Sequence, residues 1–364
     1  MDSTIKAWVH HTPPFPTTLK QIDVPLPSRE TLGPNEILVE ICSAALNPVD
    51  VQIANLSIFR LPALQANRGL GKDFSGKLLS KGKDVRDEDF EIGDEIMGVT
   101  LNPLGGPLSG TLSEVAVLDL ARSCVIRKPP HLSFPRAASL PLVFLTAVTT
   151  LSTPYLQLPQ TSTTSKPTIV VLGGSSGVGI YAVQYAALKL NLNVVATCSP
   201  RNAEFVKSLG ATTIIDYTSE DVTSRLLSLR PAEGYLSIID CVGGTSLFSS
   251  LDTLLRPRNE SLPKGGSYTT IVGDKTSRSA MGGYCYPSQA LRSLKGWIGW
   301  GPRYACVNLE MKKEWLQEVG ELTEGEEFKV VVDEEFAFAE VAKAFEKLNT
   351  GRARGKIVVN VKGM

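Results

Sequence analysis

The sequence predicts an α/β fold in two parts: a barrel of short strands, completed by the last segment of the chain, and a doubly wound parallel sheet. Three observations carry that expectation. The chain has 364 residues, enough to bury two cores. Its first third alternates short β-branched runs with turn residues and holds little helix. From Thr168 onward, Val- and Ile-rich runs alternate with helix-like segments, the pattern of a parallel sheet covered on both faces.

In order, the first part reads as strands at Ile5–Val9, Ile37–Ala44, Phe74–Ser80, Asp94–Val99 and Leu112–Val117. Pro34-Asn35, Gly82-Lys83-Asp84 and the stretch from Asn102 to Pro107 punctuate them. Arg136–Leu151 has helical period with an interruption at Pro141, and Gln157–Lys166, rich in Ser, Thr, Pro and Gln, reads as a surface loop. Strands are then expected at Thr168–Leu172, Asn193–Thr197, Thr213–Ile215, Leu236–Asp240 and Ser267–Val272. Helices are expected at Gly177–Leu190, Arg201–Leu209, Ser219–Leu229 and Thr245–Leu255, with a loop at Arg256–Gly266. The tail reads as helix Met311–Leu322, strand Phe328–Val332, helix Phe338–Leu348 and strand Lys356–Val361, a mixed segment that folds back onto the first part.

The most informative stretch is Val170-Val171-Leu172-Gly173-Gly174-Ser175-Ser176-Gly177-Val178-Gly179. An apolar strand stops at glycines and a helix follows at once. Small residues let the backbone approach a pyrophosphate, and the free N–H groups of the helix start face its charge. A dinucleotide site is the reading, because the cluster opens an alternating strand–helix run.

Other function classes lose support. Lys plus Arg and Asp plus Glu balance at 37 each, with no long single-sign block, so neither nucleic acid nor a membrane surface has an electrostatic partner here. No apolar run approaches the ~20 residues that span a bilayer, and the N-terminal residues resemble neither a secretory signal nor a transit peptide, which makes the cytoplasm the expected location. The six cysteines are scattered and the three histidines, His10, His11 and His131, all precede the glycine-rich turn, so no zinc constellation and no Ser-His-Asp arrangement is visible.

The second strand of the dinucleotide region decides which cofactor is expected. Sites for NAD place a carboxylate at its end to accept from the ribose 2′-hydroxyl. Here Val194-Val195-Ala196-Thr197 leads into Cys198-Ser199-Pro200-Arg201-Asn202, a hydroxyl and a guanidinium without a carboxylate. That suits a 2′-phosphate and favours NADPH, the alternative being that Arg201 starts a solvated helix. Tyr217, after Ile214-Ile215-Asp216, could flank the adenosine.

The chain resembles, over nearly its whole length, the medium-chain dehydrogenases/reductases, in the zinc-free quinone oxidoreductase and enoyl reductase branch. The resemblance rests on Asn47-Pro48-Val49-Asp50, Gly71-Lys72-Asp73-Phe74-Ser75-Gly76, Gly93-Asp94-Glu95-Ile96, Leu145-Thr146-Ala147 and Gly351-Arg352-Ala353-Arg354-Gly355-Lys356-Ile357-Val358-Val359, in that order. In zinc-dependent relatives a Cys leads the segment where Asn47 stands and a His-Glu pair takes the place of Lys72-Asp73; with the structural zinc lobe also missing, the resemblance implies no metal. It implies a GroES-like catalytic domain over residues 1–135 and 302–364, and a Rossmann NADP-binding domain over 136–301. By the same resemblance Gly174, Ser175, Ser176, Gly177 and Val178 hold the pyrophosphate, and Ser199, Arg201 and Tyr217 the 2′-phosphate and adenosine. Cys241, Val242 and Val272 lie along the nicotinamide half, Asn47 and Thr146 near its ring, and Arg354 and Lys356 near the cofactor. Lys275–Tyr304 matches no motif of the family and reads as a pocket or dimer segment.

Without zinc, reduction of an activated alkene or quinone is easier than reduction of a simple ketone, because charge delocalises onto an oxygen that a few donors can stabilise. Asn47 is the candidate catalytic donor, with a structural turn before Pro48 as the alternative; Tyr284 and Tyr286 qualify as proton donors by chemistry alone. The expected activity is therefore hydride transfer from NADPH to an activated C=C bond or a quinone. Two other readings stay open: a trans-acting enoyl reductase working with a biosynthetic synthase, suggested by Thr197–Asn202, and a non-catalytic NADPH-binding protein. The resemblance also suggests a homodimer joined through sheet edges.

Overall fold

The structure, a computed structural model, describes residues 4–102, 104–159, 166–274 and 287–363. It has two compact units, Met1–Leu142 with Met311–Met364, and Val143–Glu310.

The first unit begins with β1 (Thr4–His10), which buries Ile5, Ala7 and Val9 and exposes Thr4 and Lys6, the alternation of a half-buried strand. It pairs antiparallel with β2 (Lys20–Pro25) and with the short β4 (Arg68–Gly69). A seven-stranded sheet is built on the long β3 (Glu36–Leu46), to which β5 (Asp73–Lys81) and β7 (Val115–Asp119) pair antiparallel. Beyond β5 lie β6 (Glu95–Thr100) and β8 (Ser123–Arg127). Between β3 and β4, Pro48 starts α1 (Pro48–Ala54), and the Asn47 backbone N–H closes its first turn on the Asp50 carboxylate at 2.8 Å. After β8 come α2 (Phe134–Ala138) and α3 (Pro141–Thr150), which starts in the first unit and runs on into the second.

The second unit is a six-stranded sheet with every pairing parallel. Its strands are β9 (Thr168–Leu172), β10 (Asn193–Cys198), β11 (Thr213–Asp216), β12 (Ser237–Asp240), β13 (Ser267–Thr270) and β14 (Arg303–Cys306), in spatial order β11-β10-β9-β12-β13-β14. Ile169, Val170 and Val171 of β9 are fully buried, as a central strand requires. Its helices are α4 (Gly177–Gln184), α5 (Ala203–Lys207), α6 (Val222–Ser228), α7 (Leu251–Leu254) and α8 (Pro287–Ile298). The strand order reverses between β9 and β12, and such a reversal is where open α/β sheets bind ligands, beyond the carboxyl ends of the strands.

The chain then returns to the first unit with α9 (Lys313–Leu322), β15 (Val332–Ala337), α10 (Val341–Thr350) and β16 (Lys356–Asn360). β16 pairs antiparallel with β3, and Val341, Ala344, Phe345 and Leu348 of α10 enter the same apolar core as Ile37, Val39 and Phe74. Gly351 ends α10 at φ 71°, a left-handed conformation that favours glycine.

Several elements differ from the sequence expectation. The strand expected at Phe328–Val332 lies at Val332–Ala337, because the strand that pairs with β16 carries Glu334 and Glu335 on a half-exposed edge and its register shifts at Val332/Glu334. The helix expected at Thr245–Leu255 contracts to α7 after a 3-10 turn, and the one at Gly177–Leu190 changes to a π turn at Tyr185–Lys189. Arg136–Leu151 breaks before Pro141 as read. Strands β2, β4, β8 and β14 and helices α1 and α8 have no counterpart in the sequence expectation. Tyr284 and Tyr286 lie outside the described residues.

Candidate active site

The residues singled out in the second unit gather at the carboxyl ends of its strands. Gly173 turns the chain after β9 at φ 82°, and its N–H and that of Gly174 bond Thr197 at 2.8 and 2.9 Å. Ser176 caps α4, its hydroxyl accepting from the Gly179 N–H at 3.1 Å, while Gly177 and Val178 form the first turn, whose N–H groups lack intrahelical acceptors. A Cβ on Gly179 would stand 2.1 Å from the Gly173 carbonyl, so helix and strand meet too closely for any side chain there. Ser175 is held by Asn202, whose amide donates to its hydroxyl at 3.1 Å. Glycine turn, bare helix start and cradle together fit a dinucleotide pyrophosphate.

Ser199 follows β10 directly and Tyr217 follows β11; Cys198 and Asp216 are register partners, so the two sites leave the sheet side by side. Tyr217 is 57% exposed. Arg201 stands exposed on the turn after Ser199 and forms no ion pair with a described residue. The nearby Asp216 carboxylate is spent within its own turn, accepting from the Thr218 N–H and hydroxyl and from the Ser219 hydroxyl.

On the other side of β9, Asp240 is fully buried and organises the turn that carries Cys241 and Val242. It accepts from the Val242 and Gly243 N–H groups at 2.9 and 2.8 Å, and from the Tyr268 and Thr270 hydroxyls at 2.9 Å each. Burial, reinforced by the Asp240 charge, pushes the Cys241 thiol above its ordinary value. The Val272 N–H bonds the Thr270 hydroxyl at 3.2 Å. Thr146 is buried on α3.

In the first unit, strand register assembles a buried polar knot that sequence reasoning saw only in fragments. Ala45 pairs with Asp73 and Leu46 with Ile357, so Asn47, Asp73 and Lys356 converge from three strand ends. The Lys356 ammonium donates to the Leu46 carbonyl at 2.8 Å, to Asp73 Oδ2 at 3.0 Å and to Asn47 Oδ1. Asn47 Nδ2 donates to Asp73 Oδ2 at 2.8 Å and to the Ala45 carbonyl at 3.3 Å, and the residue is 1% exposed. Both amide hydrogens are therefore directed at protein acceptors. The Leu142 N–H completes the Asp73 carboxylate at 2.8 Å. Arg354 is exposed on the turn before β16, its N–H donating to Asp333 at 3.0 Å.

Beside the knot lie Asp50, Lys72 and His10, none of which the sequence marked as functional. Burial pushes the Asp50 carboxyl up to about 6, opposed by Lys72 and Lys356. Burial holds the His10 imidazole down at about 4, with repulsion from Lys72, Arg68 and His11 adding to it. Between pH 6.5 and 4 the unfolded state binds a proton that native His10 refuses, so stability rises with pH across that window. At about 1.4 kcal/mol per pH unit, acidification across it costs about 3 kcal/mol. His10→Phe, which keeps a ring beside Phe59, is expected to flatten this part of the profile. Urea midpoints at both ends of the window measure it, and an unchanged slope would count against it.

Comparison with known proteins gives the family. Residues 33–129 match the alcohol dehydrogenase GroES-like domain and residues 209–359 the zinc-binding dehydrogenase family. The chain is 32% identical to the mitochondrial NAD(P)H oxidoreductase RTN4IP1 of Homo sapiens, over 90% of this chain and 82% of that protein. It is 29% identical to the trans-enoyl reductase pgmF of Aspergillus terreus, over 99% and 97%. The quinone oxidoreductase from Coxiella burnetii superposes with a TM-score of 0.77 at 27% identity, covering 99% of this chain and all of that one. The chain belongs to the medium-chain dehydrogenase/reductase superfamily, in its quinone and enoyl reductase branch. It is an oxidoreductase with an NAD(P)H-binding fold, a GroES-like domain followed by a Rossmann sheet. No described helix is long and apolar enough to cross a membrane.

Proposed function

We propose that the protein is a zinc-independent, NADPH-dependent reductase that adds hydride to an activated C=C bond or a quinone. The observation that carries this reading is the Asp73–Lys356 ion pair, 0% and 3% exposed at its two side chains. The ammonium occupies the carboxylate and Asn47 Oδ1, so a divalent ion would have to displace a satisfied buried cation. Among the described residues no group of three or more His, Cys, Asp or Glu could hold a metal. In this reading Asn47 acts by positioning Lys356.

NADPH supplies hydride from its nicotinamide when bound. Gly174, Ser175, Ser176, Gly177 and Val178 hold its pyrophosphate against the start of α4. Arg201 and Ser199 hold the 2′-phosphate, with Tyr217 against the adenosine. Cys241, Val242, Val272 and Thr146 flank the nicotinamide half, with Lys356 and Arg354 contributed by the returning chain. A cytoplasmic location and a homodimer belong to the same proposal.

The test follows NADPH and NADH oxidation against quinones, enones and enoyl thioesters, with and without chelator. Chelator-insensitive oxidation of NADPH by one acceptor class is the expected result, and loss of turnover on chelation would refute zinc independence. The near full-length similarity to a trans-enoyl reductase favours a second reading, action on a synthase-bound intermediate. Turnover of carrier-bound but not free enoyl thioesters would establish it.

A further inference from the structure

We infer that Lys72 is a further catalytic residue, whose ammonium binds the oxygen on which negative charge develops in the acceptor. The choice of that oxygen rests on the reductase reading above; the binding site itself does not.

The argument starts from which hydrogen-bonding groups of the knot are filled. Lys356 directs its ammonium at three acceptors, Asp73 uses both oxygens, and Asn47 uses both amide hydrogens and its carbonyl. Two members are left over. Asp50 gives one oxygen to the Asn47 N–H at 2.8 Å, but its Oδ1 is buried without a partner. Lys72 is 3% exposed and its ammonium forms no hydrogen bond or ion pair with a described residue. The Nδ1 of His10, which feels the Lys72 charge, is likewise buried and unpartnered.

A lysine buried beside Asp50, close enough for its charge to act on His10 and without a protein acceptor, costs free energy that an apolar residue would avoid. A ligand oxygen would satisfy it. When the β-carbon of an enone takes up hydride, its π pair moves onto the carbonyl oxygen, and a quinone oxygen gains charge in the same way. With the Asn47 hydrogens engaged, Lys72 is the donor of the knot left to receive it, and the proton that completes the product comes from water. Asp50 beside it opposes binding of an anion.

The probe is 4-nitrophenol, whose phenolate carries a delocalised oxyanion, added to the purified protein with NADP+ below the probe's own pKa. The native protein is expected to bind it as phenolate, seen as the phenolate absorption band. Lys72→Met should weaken that binding about tenfold or more, while Asp50→Asn, removing a negative charge, should strengthen it. A structural role for Lys72 would not produce opposite signs in the two variants. If Lys72→Met does not fold, Asp50→Asn decides: tighter binding supports the inference, unchanged or weaker binding overturns it. Equal binding by native protein and Lys72→Met, or no phenolate bound by the native protein, also overturns it. Failure of the reductase reading would show differently, as phenolate bound at Lys72 with no NADPH oxidised by any acceptor.

Discussion

Replacing Lys356 with methionine is expected to destabilise the protein by about 3–5 kcal/mol, the cost of leaving a buried charge without its partner. Asp73 is fully buried, and its Oδ2 would retain only the Asn47 amide. Replacing both partners, Asp73→Leu with Lys356→Met, should recover part of the loss, because two apolar side chains leave no uncompensated charge. Urea titration of the single and double variants measures both effects. A loss below about 1 kcal/mol in the single variant would place the ion pair in the class of exposed surface pairs and remove the reason for its burial.

The second large effect concerns the cofactor. Arg201→Ala should weaken NADPH binding about 10- to 100-fold, the range for one charge-assisted hydrogen bond to a phosphate. NADH, which lacks the 2′-phosphate, should bind the variant and the native protein equally. Fluorescence titration with each reduced cofactor gives the comparison. An equal loss for both would mean that Arg201 supports the turn after β10 and reads no phosphate.

The dinucleotide region was legible because its signals are local. Strand, glycine turn and helix occupy Val170–Gly179 without a break, and the period changes there from that of a strand to that of a helix. The missing carboxylate after β10 was equally local. The polar knot was not, since Asn47 and Lys356 lie 309 residues apart and meet only through the register of β16 on β3. No periodicity announces such a meeting; Asn47, Lys72-Asp73 and Lys356 stand out in the sequence only as parts of separate segments that resemble the family's motifs.

The misplaced β15 has the opposite cause. Val330-Val331-Val332 is the apolar run, yet the strand that pairs with β16 follows it, with Glu334 and Glu335 facing out at an edge. Edge strands are short and charged to discourage further pairing, so apolar content misleads there. Helix α8 is a different case: Leu291, Leu294 and Trp297 stand at helical spacing, yet the stripe they form is exposed and not part of a core.

The central claim, hydride delivery to a conjugated carbon without metal activation of a carbonyl, is tested most directly by following the label. NADPH deuterated at C4 would be incubated with an α,β-unsaturated ketone in the presence of chelator, and the product examined by NMR. The account predicts a saturated ketone with one deuterium on the β-carbon. Deuterium on the carbinol carbon of an allylic alcohol would show carbonyl reduction and contradict it.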